Sequence, residues 1–205
     1  MKRGLGKHAQ AWAMAHVSPH IERMMAERKW ELLGGLRGLV VEIGLGTGSN
    51  LRYYARGVRW RGVEPNPFMH RYLREAALAA GHEGEVCEGV AEALPIDDAS
   101  VDAVVSTLVL CSVGDARAAL KETVRVLRPG GQFVFFEHVG AAKGSWRRRG
   151  QELLGPAWRA VADGCRLDQD TLELIRGAGF REVRVEELRL RFGPASPQIA
   201  GVAIK

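Results

Sequence analysis

Short apolar runs alternate with amphipathic stretches from residue 39 onward, and this alternation predicts strands separated by helices. Each run is bounded by glycine, proline or charged residues, as is typical of buried strands. The runs predicted as strands are Leu39–Ile43, Val58–Val63, Glu85–Gly89, Val101–Ser106, Gln132–Phe136, Glu182–Leu190 and Gln198–Ile204.

The stretches between these runs have the apolar spacing and the end signals of helices. Asn66 is a suitable N-cap, Pro67 suits the first helical position, and that helix is predicted to end at Gly81. The other predicted helices are one from Thr47 or Ser49 to Gly57, Asp115–Leu127, Trp146–Ala162 with an interruption near Gly155-Pro156, Asp168–Ala178, and most of residues 1–35 with a break at Ser18-Pro19.

The order of these elements predicts an α/β fold with a doubly wound sheet. Because no helix separates the last two predicted strands, they should form a hairpin and add one antiparallel strand to a mostly parallel sheet. Ligands of such sheets bind beyond the carboxyl ends of the strands, at the topological switch point. A glycine-rich loop follows the first strand, where that site is expected.

Composition narrows the class of protein. The 205 residues suit one domain, and the net charge of +5 comes from scattered basic residues with a single tight run, Arg147–Arg149. We interpret this run as a solvated basic surface, with a lipid- or anion-facing patch as the alternative. No module that pairs basic with aromatic residues indicates nucleic acid as a partner. The sequence contains no feature that sets an oligomeric state.

Three cysteines without paired spacing argue against a disulfide framework and favour a reducing, cytoplasmic location. The histidines are far apart in sequence and no ligand motif is visible, so no metal site is expected. The chain shows neither a signal peptide nor a transmembrane segment, which leads us to expect a protein without a membrane anchor.

The loop Gly44-Leu45-Gly46-Thr47-Gly48 turns the first strand sharply and exposes backbone N–H groups to a ligand. Its glycine spacing differs from the dinucleotide fingerprint, whose third glycine comes three positions after the second. The second strand ends at Glu64, where an acidic side chain accepts hydrogen bonds from both ribose hydroxyls. The ligand is therefore expected to carry a ribose without phosphate.

Four stretches together resemble the class I S-adenosylmethionine-dependent methyltransferases over about Leu39 to Phe136. They are VVEIGLGTGSN at Val40–Asn50, VEPN at Val63–Asn66, GVAEALP at Gly89–Pro95 and VLRPGG at Val126–Gly131. The resemblance implies a Rossmann-like methyltransferase sheet with an N-terminal helical lid. It also implies S-adenosylmethionine as the cofactor and S-adenosylhomocysteine as the product.

Carried over residue by residue, the resemblance implies a cofactor-binding set. In it, Gly44–Gly46 line the methionine moiety, and Glu64 holds the ribose diol. Val90 departs from the family, in which Asp is common at that place, so either Glu92 replaces the contact to the adenine amino group or the contact is missing. In the same set, Pro65 and Ala91 lie near the adenine, and Thr107 and Leu108 lie beside the methionine. The full set is Glu42, Gly44, Leu45, Gly46, Gly48, Asn50, Glu64, Pro65, Val90, Ala91, Glu92, Thr107 and Leu108.

Other stretches resemble the animal alkyl thiol methyltransferases over about Met25 to Lys205. They are Ser106–Val113, Glu137–Val139, Gly144–Trp146 and Asp163–Cys165. Members of that family begin with a hydrophobic membrane anchor that is not visible in this chain. The resemblance implies in-line methyl transfer to a small thiol. Two alternatives stay open. The enzyme could methylate an oxygen, nitrogen or carbon atom of a quinone- or lipid-like molecule, or the protein could bind the cofactor without catalysis.

Candidates for the acceptor side follow the fourth and fifth strands. His138 could take the thiol proton, or it could hydrogen-bond locally and shape the pocket, and Glu137 beside it is a second candidate. Cys111, Trp146 and Trp158 are expected to line the pocket. The predicted organisation is a lid (1–35), a cofactor-binding core (36–137) and an acceptor-side segment with the hairpin (138–205).

Overall fold

Seven strands form one sheet at the centre of the computed structural model, which describes residues 22–188 and 193–205. The strands are β1 (Leu39–Ile43), β2 (Arg59–Val63), β3 (Gly84–Cys87), β4 (Val101–Thr107), β5 (Leu127–His138), β6 (Glu182–Leu188) and β7 (Gln198–Ile204). The last two residues of the sixth predicted strand lie outside the described residues.

The strand order is β3-β2-β1-β4-β5-β7-β6. The first five strands are parallel, and β7 pairs antiparallel with both β5 and β6. The predicted doubly wound sheet with a C-terminal hairpin is therefore confirmed. The order reverses between β1 and β4, so the carboxyl ends of these two strands flank the topological switch point.

Helices cover both faces of the sheet because alternate strand residues point to opposite sides. The helices are α1 (22–33), α2 (His70–Ala80), α3 (Ala116–Val126), α4 (Trp146–Val161) and α5 (Thr171–Arg176), and single 3-10 turns occur at Leu51–Tyr53 and Gly193–Ala195. Val40 of β1 packs on the face covered by helices α1 and α2, and Val41 packs on the face of α3 and α5.

Helix α1 is the described part of the predicted lid, and the break at Ser18-Pro19 lies outside the described residues. Met25 of α1 packs against Phe136, and Lys29 is buried in an ion pair with Glu22 at 2.7 Å. Tyr53 donates a hydrogen bond to the other oxygen of Glu22 at 2.8 Å. The contacts with Phe136 and Tyr53 dock α1 onto the sheet and onto the segment after the glycine loop, and the ion pair lies within α1. No helix within the described ranges is long and apolar enough to cross a bilayer.

The segment after the glycine loop differs from its prediction. Instead of a helix that reaches Gly57, it forms turns and one 3-10 turn, after which Tyr54 is extended with ψ at 141°. Positive φ angles at Gly46 and Gly48 are incompatible with a helix there. The side chains of Asn50 and Tyr54 are also held by Glu42, which stops the chain from winding further.

The other differences lie at element ends and in α4. Helix α2 begins at His70, because Asn66 caps a turn instead, accepting from the N–H of Phe68 at 3.1 Å. Helix α4 runs without the predicted interruption, and Pro156 lies inside it. Since the side chain of Pro156 is exposed, the carbonyl that loses its partner four residues earlier can be hydrated.

Candidate active site

The glycine loop begins where β1 ends and crosses the carboxyl ends of the neighbouring strands. Gly44, Gly46 and Gly48 have φ of 60°, 55° and 80°, a region that L side chains rarely adopt. The N–H of Gly44 donates to the carbonyl of Val63 at 2.8 Å, which joins the loop to β2. A Cβ at Gly44 would lie 2.7 Å from a methyl group of Val109, so this position also requires the space.

Glu64 lies buried at the end of β2 and binds the loop directly. Its Oε2 accepts from the N–H of Gly46 at 2.9 Å, and its Oε1 accepts from the N–H of Asn66 at the same distance. Burial raises the pKa of Glu64, although these two N–H groups lower it in part. Each carboxylate oxygen keeps lone pairs that can accept from ligand hydroxyls.

A second buried carboxylate, Glu42, anchors the segment after the loop. Its oxygens accept from Asn50 Nδ2 at 2.7 Å and from the Tyr54 hydroxyl at 2.5 Å, and Asn50 Nδ2 also donates to Thr107 Oγ1 at 2.9 Å. Burial raises the pKa of Glu42 to about 7. Asn50 Oδ1 is buried and has no partner within residues 22–188 and 193–205, so it is an acceptor available to a ligand.

The predicted adenine contacts follow β2 and β3, which are neighbours in the sheet. Pro65 and Val90 are exposed, and Ala91 is buried. Glu92 accepts from the N–H of Asp115 at 3.1 Å and so extends toward the start of α3. The edge of the site where the adenine is expected is therefore apolar and open. The carboxylate of Glu92 is hydrogen-bonded at the start of α3 instead.

The loop after β4 is shaped by Glu137, which is completely buried near the end of β5. One of its oxygens accepts from Ser106 Oγ at 2.5 Å and from the N–H of Val109, and the other accepts from the N–H of Leu110 at 3.1 Å. Burial raises the pKa of Glu137 to about 7. Leu108, between these contacts, has a positive φ of 57°. Both oxygens of Glu137 therefore hold this loop.

Cys111, His138 and Cys165 converge beyond the carboxyl ends of β4 and β5. One nitrogen or sulfur atom of each lies within 4.8 Å of the others, and His138 Nδ1 is 3.9 Å from Cys165 Sγ. All three side chains are buried. The contact between the two thiols lowers the pKa of Cys165 and raises that of Cys111, which favours one thiolate and one thiol. We call these three residues the Cys-His-Cys cluster.

His138 within this cluster is only partly satisfied. Its carbonyl accepts from Thr171 Oγ1 at 3.1 Å, whereas its buried Nε2 has no partner among the described residues. The sequence predicts Cys111 and His138 as pocket residues and leaves Cys165 as either buried structure or pocket wall. Successive members of the cluster are 27 positions apart in sequence, so no short ligand spacing could reveal the cluster.

The two predicted pocket tryptophans have different surroundings. Trp158 of α4 is partly buried, and its indole is among the groups that lower the pKa of Cys165, after Cys111 and His138. Trp146, at the start of the same helix, is 79% exposed and packs against the guanidinium of Arg147. The structure therefore brings Trp158 to the cluster and leaves Trp146 at the surface.

Known proteins match this chain over most of its length. The family described as methyltransferase domain matches residues 41–135. Human thiol S-methyltransferase TMT1B is 36% identical over 95% of this chain and 85% of its own, and human TMT1A is 35% identical over 88% and 80%. The solved structure of an S-adenosylmethionine-dependent methyltransferase from Thermotoga maritima matches 91% of this chain and 99% of its own, with a TM-score of 0.60 and 24% identity. This likeness shows the fold alone.

The sheet order, the glycine loop that Glu64 holds and these matches define a class I S-adenosylmethionine-dependent methyltransferase, with S-adenosylhomocysteine as its product. Within that class, the chain belongs to the family of the thiol S-methyltransferases TMT1B and TMT1A. The predicted family and cofactor are therefore confirmed.

Proposed function

We propose that the protein transfers the methyl group of S-adenosylmethionine to a small thiol. The observation that carries the proposal is the convergence of three stretches that resemble the alkyl thiol methyltransferases. The stretches 106–113, 137–139 and 163–165 are distant in sequence, yet each supplies one residue to the Cys-His-Cys cluster. The names of the two human relatives describe the same reaction.

On the donor side, Glu64 accepts from the two ribose hydroxyls with the lone pairs left after its bonds to Gly46 and Asn66. Asn50 Oδ1 accepts from the ammonium of the methionine moiety, since it is a buried acceptor without another partner in the described chain. The remaining contacts come from the glycine loop at Gly44, Leu45, Gly46 and Gly48, from Thr107 and Leu108 beside the methionine, and from Pro65, Val90 and Ala91 around the adenine.

The reaction is a single in-line displacement. A lone pair of the acceptor sulfur forms a bond to the methyl carbon while the bond from that carbon to the sulfonium breaks, which leaves a thioether and neutral S-adenosylhomocysteine. The acceptor loses its proton before or during this step. Because an alkyl thiol with a pKa of about 8.5 is mostly protonated near pH 7, the acceptor side has to promote that loss. The buried Cys-His-Cys cluster provides the polar groups at this edge and excludes water. The free thiols of the chain suit a reducing, cytoplasmic compartment.

The test is release of S-adenosylhomocysteine from purified protein with S-adenosylmethionine and paired acceptors. Each alkyl thiol is compared with the alcohol of the same carbon skeleton, beside catechol, quinol and amine compounds. We expect turnover with the thiols alone and its loss in Glu64→Ala. Turnover with oxygen, nitrogen or carbon acceptors only would contradict the thiol assignment and favour a quinone- or lipid-like substrate. Tight binding of the cofactor without any product would favour a binding protein.

A further inference from the structure

We propose that Cys111, His138 and Cys165 form a binding site for one Zn²⁺ ion, with a fourth coordination position open to the sulfur of the acceptor. The zinc site itself depends only on the geometry and chemistry of these three residues. The occupant of the fourth position rests on the proposed function. Two thiolates, one imidazole and one open position form a donor set that is known for catalytic zinc sites, whereas structural sites have four protein ligands.

The distances in the cluster fit a tetrahedral ion. Zinc lies about 2.3 Å from thiolate sulfur and about 2.0–2.1 Å from imidazole nitrogen, so neighbouring ligand atoms are about 3.6–3.8 Å apart. His138 Nδ1 and Cys165 Sγ are separated by 3.9 Å, and all three ligand atoms lie within 4.8 Å of one another. If the distances between the three ligand atoms shortened by a few tenths of an ångström to about one ångström, all three atoms would reach tetrahedral spacing around the ion.

The chemistry of the cluster suits a thiophilic cation. Two thiolates neutralise the two charges of Zn²⁺, so the occupied site would bring no net charge into a buried region. The cluster is buried, and His138 Nε2 lacks a hydrogen-bond partner in the described chain. With Nδ1 bound to the ion, the ring proton would lie on Nε2, a donor that a bound acceptor molecule can satisfy.

The loop that holds Cys165 is tied to the loop that holds Cys111. The N–H of Arg166 donates to the carbonyl of Cys111 at 2.8 Å, and its guanidinium donates to the carbonyls of Val113 and Gly114 at 2.8 and 2.7 Å. Gln169 Nε2 donates to the carbonyl of Leu110 at 2.7 Å. These four bonds position the two thiols independently of any ion, as a site with low reorganisation requires.

At the fourth position, a thiol would bind as a thiolate and release its proton to solvent, because coordination lowers the pKa of a thiol strongly. The bound sulfur would then attack the methyl carbon as described above, and the thioether product, a weaker ligand, would leave. In this arrangement His138 binds the ion and is not a free base. Glu137 holds the loop beside the site through its three hydrogen bonds.

The first experiment measures binding of the metal alone. Fully reduced, metal-free protein is titrated with Zn²⁺ and, in parallel, with Co²⁺, whose sulfur-to-cobalt and tetrahedral absorption bands report the ligands. We expect one equivalent per chain. Cys111→Ser and Cys165→Ser should weaken binding by at least about 100-fold, since even changes outside the ligand shell cost about 10–100-fold. Cys87→Ser is the matched control, because Cys87 lies in β3 outside the cluster, and it should bind normally.

Retained binding of S-adenosylmethionine by each variant shows that it is folded, so that loss of metal is a loss of ligands. Wild-type protein that takes up no stoichiometric zinc when reduced would overturn the proposal, and so would equal uptake by Cys165→Ser. Zinc uptake without thiol turnover would contradict the proposed acceptor alone. Full thiol turnover by protein verified as metal-free would overturn the proposed role of the fourth position and leave the methyltransferase assignment intact.

Discussion

Beside the glycine loop, the buried carboxylates of Glu42 and Glu64 each accept two hydrogen bonds, whereas on the side of β5 the buried imidazole of His138 has a ring nitrogen without a partner in the described chain. We call these the donor side and the acceptor side. On the donor side, backbone N–H groups and fixed side chains hold both acidic groups in place, and the buried Asn50 Oδ1 is the acceptor left to the cofactor within the described residues. On the acceptor side, two thiols and an imidazole contact mainly one another.

This difference in hydrogen bonding indicates that the two sides have different binding requirements. The donor side has to bind one cofactor with a constant shape, so its polar groups can be preorganised by the fold itself. Under the proposed function, the acceptor side has to receive a reacting sulfur, so some of its ligand atoms stay available. Buried polar atoms that lack partners are costly and therefore point to a group that binds there.

The largest effect should come from Glu64→Ala, which removes the proposed ribose acceptor and a hydrogen bond to the glycine loop. Hydrogen bonds to a charged group contribute about 1.5–3 kcal/mol each, so we expect affinity for S-adenosylmethionine to fall at least about 100-fold. Isothermal titration calorimetry measures it. Affinity within a factor of about three of wild type would show that Glu64 does not hold the ribose.

His138→Ala should separate the two sides. Because His138 belongs to the acceptor side only, we expect thiol turnover to fall about 100-fold while cofactor affinity stays within a factor of about two. Steady-state release of S-adenosylhomocysteine and calorimetry give the two values. Equal losses in both would contradict the division into donor and acceptor sides, and unchanged turnover would exclude His138 from the reaction.

Glu137→Gln should act on stability. The amide nitrogen of glutamine would face a hydroxyl or backbone donor that now binds the carboxylate, so the free energy of unfolding should fall by about 1–3 kcal/mol. Urea unfolding followed by circular dichroism measures the change. Turnover per folded molecule should fall much less than in His138→Ala. Wild-type stability combined with a loss of turnover as large as that of His138→Ala would instead make Glu137 a catalytic residue.

The smallest effect concerns the pH dependence of stability at Glu42. Its pKa of about 7 in the folded protein lies above the value of about 4.3 expected in the unfolded chain, so the folded state binds the proton more tightly. This contribution is fully present below the unfolded pKa and is lost as the pH rises through the folded pKa. Glu42→Gln keeps groups that can pair with Asn50 and Tyr54 but does not titrate.

The measurement compares urea unfolding of wild type and Glu42→Gln from about pH 8 to about pH 5. The wild-type protein should gain stability relative to the variant as the pH falls, most steeply between about pH 6.5 and pH 5, where the carboxyl is protonated in the folded state and ionised in the unfolded state. A constant difference across this range would mean that Glu42 keeps an ordinary pKa. The same series adds a check on the donor side, because binding of S-adenosylmethionine should tolerate Glu42→Gln far better than Glu64→Ala.

Local sequence patterns were sufficient for the strands and for the proximity of the glycine loop to Glu64. Apolar runs located all seven strands of the sheet, and β1 and β7 have their predicted bounds. Gly46 and Glu64 are 18 positions apart, and their contact follows from a turn and a neighbouring strand. The segment after the loop was predicted wrongly as a helix, because its conformation depends on hydrogen bonds from Asn50 and Tyr54 to Glu42, which no local propensity encodes.

The sequence by itself determined the α/β class and the position of the glycine loop, because apolar periodicity and turn glycines are local properties of the chain. The cofactor followed from the resemblance of its motifs to the class I methyltransferases. Only the tertiary structure decided that Cys111, His138 and Cys165 meet. Cys111 follows β4, His138 is the last residue of the neighbouring parallel strand β5, and Cys165 is brought there by a loop that hydrogen bonds tie to the loop of Cys111. Parallel strands end at one edge of a sheet, so residues far apart along the chain share a site there.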